Sequence, residues 1–212
     1  MKRRDALFGA FVLFATGMMS TTPLWAADQS DEASKASAPH EMRLSHDKVV
    51  EISFAAARAG RSDVLEGLIA HGVDPNLRDS KGDTPLILAT YYNHLDTVNM
   101  LISHGAEPCG KDKKGNTALM GAAFKGESEI VRRLSQAGCP VNTQNDVHQT
   151  ALMMASLFGR TDTVKTLLEL GADPTLEDSS GATAISLAEA QGNSAMVDLL
   201  EDATKKYKAS HH

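Results

Sequence analysis

The chain has 212 residues, 42% of them hydrophobic and only 5% aromatic, with a formal charge of −6. That is enough apolar material for one elongated domain, and too little for a large enzyme with a separate substrate domain. The acidic balance argues against nucleic acid, whose phosphates require a basic face.

The chain begins with Lys2, Arg3 and Arg4, an apolar run from Ala6 to Met19, and small residues Ala26 and Ala27. Basic start, short apolar middle and small-residue exit are the layout of a secretory signal, assigned to residues 1–26. The run is too short to span a bilayer comfortably, so no membrane association is expected after its removal. Export by the general secretory route is one reading. The pair Arg3-Arg4 also resembles a twin-arginine signal, and either route leads to a bacterial periplasm. Loss of residues 1–26 leaves 18 basic and 26 acidic residues, a formal charge of −8. Residues 27–43 are mostly Ser, Ala, Asp, Glu and Lys without apolar periodicity, which predicts a disordered linker.

From residue 44 to 206 the chain repeats itself. Helix starts are expected at Glu51, Thr84, Thr117, Thr150 and Thr183, each 33 residues after the last. Nine places on stand Gly60, Asn93, Gly126, Gly159 and Gly192, a helix stop that needs a left-handed residue. Leu65, Val98, Val131, Val164 and Val197 follow, with Leu68, Leu101, Leu134, Leu167 and Leu200 three residues further on the same face of a second helix. That helix ends at Gly72, Gly105, Gly138 and Gly171. The pattern predicts an all-α solenoid of five helix-turn-helix units with short hairpin-like fingers, followed by a tail at 207–212.

Thr84-Pro85-Leu86 through Ala89, Gly105-Ala106 and Gly171-Ala172-Asp173-Pro174 resemble the ankyrin repeat. The chain departs from that family where a His usually follows Thr-Pro-Leu, having Phe54, Ile87, Met120, Met153 and Ser186 instead. The Thr–His hydrogen bond is therefore absent, and apolar packing is expected in its place. The first unit lacks Thr-Pro and the last runs into Lys205, Lys206 and Lys208, as solvent-facing end units require.

The resemblance implies that the two residues before each first-helix stop face the concave side and carry partner contacts. They include Tyr91, Tyr92, Phe124, Lys125, Leu157 and Phe158. Beyond the signal the chain has six aromatic residues, and four of them occupy these positions in three consecutive units. Exposed rings are costly in water and make good interface anchors, so a protein-contact surface is expected; mutual burial between neighbouring helices is the competing account. On the fingertips Lys81, Lys113, Lys114 and His148 add charge and polarity, passing to acidic Glu177 and Asp178, a gradient suited to steering a partner. Cys109 and Cys139 fall in loops of adjacent units, leaving two readings: a disulfide favoured by an oxidising compartment, or two separate small apolar residues. No metal site and no cofactor are expected, because no further Cys or closely spaced His completes a ligand set.

No phosphate-cradling loop, His-Glu-x-x-His or nucleophile elbow is found, so the protein is expected to be a non-enzymatic, monomeric binding module. Exported bacterial proteins of this resemblance include accessory factors for oxidative-stress enzymes such as catalase, and immunity proteins. A small-molecule carrier is the alternative, binding for instance haem, with Tyr91, Tyr92 or His94 as axial ligand.

Overall fold

In a computed structural model, residues 45–210 are described; the signal and linker readings on residues 1–43 lie outside them. Among the described residues ten helices alternate between two layers. The inner layer holds α1 (His46–Ala59), α3 (Pro85–Tyr91), α5 (Ala118–Lys125), α7 (Ala151–Leu157) and α9 (Ala184–Ala190). The outer layer holds α2 (Ser62–Ala70), α4 (Leu95–Ser103), α6 (Ser128–Gln136), α8 (Thr161–Glu169) and α10 (Ser194–Ser210). Each helix packs on its partner within a unit, and each inner helix packs on the next inner one. Among the described residues no strand forms, only an isolated antiparallel bridge between Lys111 and Thr117.

Local chemistry explains why the helices begin where they do. The hydroxyls of Thr84, Thr117, Thr150 and Thr183 accept from the amides of Ile87, Met120, Met153 and Ser186 at 3.2–3.3 Å. Each cap satisfies an otherwise orphaned donor and is worth about 1 kcal/mol. In two units the residue at the usual His position also reaches back to the cap. Met153 Sδ accepts from the Thr150 amide at 3.4 Å, and Ser186 Oγ accepts from the Thr183 amide at 2.9 Å. A sulfur and a hydroxyl thus supply a polar contact where apolar packing was expected.

Two boundaries differ from the sequence expectation. Glu51 is not a helix start: α1 begins at His46, with Ser45 Oγ accepting from the Lys48 amide at 3.3 Å. No threonine marks position 51, so nothing interrupts the helix there. At the other end α10 continues through Tyr207 to Ser210, so a tail does not begin at 207.

The core lies between the layers. Leu101, Leu134, Leu167 and Leu200 are fully buried with Val98, Val131 and Val164, while Ala57, Ala89, Ala122, Ala155 and Ala188 let the inner helices approach closely. Leu68 and Val197 hold the same frame positions at the two ends of the stack and are only half-buried. All five first-helix stops, Asn93 included, are left-handed, with φ between 60° and 91°.

Candidate functional site: an aromatic groove on the inner helices

The fingers between units are built by side chains that the charge pattern alone does not distinguish. Asp79, Asp112, Asn145 and Asp178 recur every 33 residues. Each uses Oδ1 to accept two amides of its own loop: Lys81 and Asp83, Lys114 and Asn116, Val147 and Gln149, Ser180 and Ala182. These are Asx turns, and they make the residues structural. Successive fingers are joined by one backbone rung each: Lys113 amide to Lys81 carbonyl, Asp146 amide to Lys114 carbonyl, and Ser179 amide to Val147 carbonyl, at 3.0–3.1 Å. Arg78 adds a bridge, donating to the carbonyls of Gly82 and Lys111.

Between the first two fingers and the inner helices lies a groove of about 460 Å³. Ile87, Leu88, Tyr91 and Tyr92 line it from the second unit, Met120, Gly121 and Phe124 from the third, and Met154 from the fourth. Lys81, Asp83, Asp112 and Asn116 form the finger wall. In the repeat frame Gly121 stands where the neighbouring units have Leu88 and Met154. A Cβ added there would meet nothing within 4 Å. The missing side chain opens space in the groove floor.

Above this floor the rings form a continuous row. Tyr91 stacks on Phe124 with centroids 6.0 Å apart, Phe124 meets Phe158 edge-on at 4.3 Å, and Tyr92 abuts Tyr91 at 5.5 Å. Lys125 Nζ sits 4.9 Å over the Tyr91 ring, a cation–π contact. Tyr91, Tyr92 and Phe158 remain 39%, 48% and 45% exposed, so contact within the row does not remove them from water. Phe124 and Leu157 are half-buried.

Of the residues singled out from sequence, Tyr91, Tyr92, Phe124, Lys125, Phe158 and Lys81 come together at or beside the groove. Lys113, Lys114 and His148 lie exposed on fingers and do not line it. His148 takes φ 60° where the other fingers have Gly82, Gly115 and Gly181, beside the exposed Val147. A non-glycine held left-handed is strained. His94, named as a haem-ligand candidate, is also outside the groove lining: its Nε2 bonds the Arg58 carbonyl at 2.9 Å, tying the second unit to the first. Arg160 makes the same link two junctions on, donating to the Phe124 carbonyl and tying the fourth unit to the third.

Asp83 lines the groove, although as one fingertip charge among several the sequence does not single it out. Burial raises its pKa above the ordinary carboxylate value, with the Asp79 and Asp112 carboxylates adding to the shift and Lys81 opposing it. Among the described residues no group of three or more His, Cys, Asp or Glu is placed to hold a metal ion.

A family model for ankyrin repeats in three copies matches residues 52–145 and 137–209, which is most of the chain. The chain belongs to the ankyrin-repeat family. An ankyrin repeat protein of Pseudomonas aeruginosa is 45% identical over 58 residues, which are 27% of this chain and 34% of that protein. The chain thus spans about a third of the length of the relative it matches. Ankyrin repeats are protein–protein interaction modules, and this chain carries such a module over residues 52–209. No helix among the described residues is long and apolar enough to cross a membrane.

Proposed function

We propose that the ankyrin-repeat unit grips a protein partner through the groove between α3 and α5, acting as an exported, monomeric, non-enzymatic accessory factor in the periplasm. The observation that carries the reading is the row of Tyr92, Tyr91, Phe124 and Phe158, held together across three units yet left open to solvent. A core does not need rings there, and rigid half-exposed aromatics offer contact area at small entropic cost. The gap at Gly121 receives one anchor side chain, and Asp83 gives that anchor a carboxylate to meet. The partner classes suggested by family resemblance are an oxidative-stress enzyme such as catalase and a secreted toxin.

Affinity capture from periplasmic extract tests the reading. Wild-type protein retains a partner, and the combined variant Tyr92→Ala/Phe158→Ala loses it while keeping its fold. Equal retention by both proteins sinks the proposal.

A further inference from the structure

The three junctions between the first four units are clamped at one position in the repeat frame, by two different chemistries. Asn76 closes the first: its Nδ2 donates to the Gly105 carbonyl at 3.1 Å and its Oδ1 accepts from the Glu107 amide at 2.7 Å. Asn142 closes the third identically, to the Gly171 carbonyl at 3.3 Å and the Asp173 amide at 2.8 Å. Midway between these asparagines, 33 residues from each, stands Cys109. Its frame partners would be the Gly138 carbonyl and the amide of residue 140, but that residue is Pro140, which has no N–H. An asparagine there would find its acceptor and lose its donor. Instead Cys109 bonds Cys139 Sγ to Sγ, with Cα atoms 5.2 Å apart, and Cys139 takes the place of Ala106 and Ala172 in the frame. The second junction has exchanged a hydrogen-bonded clamp for a covalent one.

This junction adjoins the groove. The bridge ties the base of the 112–116 finger to the base of the 145–149 finger, and the former supplies Asp112 and Asn116 to the groove wall. Beyond it, the rung from the Asp146 amide to the Lys114 carbonyl joins the same two fingers.

We propose that Cys109–Cys139 is a redox clamp on the groove wall: reduction by a dithiol uncouples the 112–116 finger from the 145–149 finger and weakens partner binding. This rests on the groove being the partner site. The two residues differ in access, since Cys109 is half-buried and Cys139 is only 5% exposed. The dithiol's thiolate attacks Cys109 Sγ, the S–S bond breaks, and the electron pair leaves with Cys139 Sγ, which takes a proton. The second thiolate of the reductant attacks its own sulfur in the mixed disulfide. Cys109 is released and protonated, and the reductant leaves as a disulfide.

Hydrogen exchange of the full chain, oxidised and then reduced with dithiothreitol, provides the test without needing a partner. Reduction should speed exchange of the Asp146 amide by about tenfold or more, as expected for a local opening. The Lys113 and Ser179 amides, which make the same rung at the asparagine-clamped junctions, should not change. The variant C109N/C139A/P140D rebuilds the asparagine clamp and should give Asp146 one exchange rate in both conditions. Equal Asp146 exchange in oxidised and reduced wild type overturns the clamp, and so does a uniform acceleration at all three rungs. Failure of the groove reading shows separately, as capture that survives Tyr92→Ala/Phe158→Ala in both redox states.

Discussion

Phe124 meets Phe158 edge-on with centroids 4.3 Å apart, and that contact carries the aromatic row from the third unit into the fourth. Because Phe158 and Tyr92 are nearly half exposed, their loss should cost little. Tyr92→Ala with Phe158→Ala should lower unfolding free energy by about 1 kcal/mol, mostly lost ring contacts. Leu134→Ala, in the buried core, should cost about 2–5 kcal/mol. Urea denaturation of the variants compares the two sites; similar losses would mean the rings belong to the core.

Gly121 offers a substitution that separates stability from binding. It lies inside α5, away from the left-handed region, and an added Cβ meets open space. Gly121→Ala should therefore raise stability by about 0.5–1 kcal/mol, through helix propensity. Gly121→Met fills the floor between Leu88 and Met154, and should abolish partner retention without lowering the melting temperature.

At the third fingertip His148 occupies the conformation that glycine serves elsewhere. His148→Gly should stabilise the protein by about 1 kcal/mol by relieving left-handed strain. Thermal unfolding measures the gain.

The pH dependence at Asp83 has a definite sign. Its folded pKa is raised, chiefly by burial, so the native state holds the proton more tightly than the unfolded chain. Stability from this group is present below the ordinary value of 3.8 and is lost as pH rises through the folded pKa. Asp83→Asn should be more stable than wild type at neutral pH by about a few tenths of a kcal/mol, since the carboxyl is only partly buried and solvent still screens it. The difference should shrink toward zero in acid. Urea titrations across that range follow it.

The period, the threonine caps and the apolar frame were legible because each is a repeated local rule. Position 51 misled because the first unit has no threonine and its cap, Ser45, lies outside the frame. Asp178 read as a charge, and nothing marked Asp79 or Asp112, since an Asx turn and a solvated acid use the same residue. Their common spacing with Asn145 was the signal for a structural role. Gly121 stayed invisible for a different reason: a groove made by a missing side chain shows only when Leu88 and Met154 are aligned beside it. Asp83 required the inner helices and two fingers to be assembled before its burial was evident.

Photocrosslinking in living cells most directly tests whether the inner-helix groove is the gripping face. A photoreactive phenylalanine analogue is placed at Tyr92, and in a second strain at Lys165 on the outer helix α8. The account predicts a discrete crosslinked protein from position 92 and none from position 165. Adducts from position 165 alone, or no adduct from position 92, would contradict it.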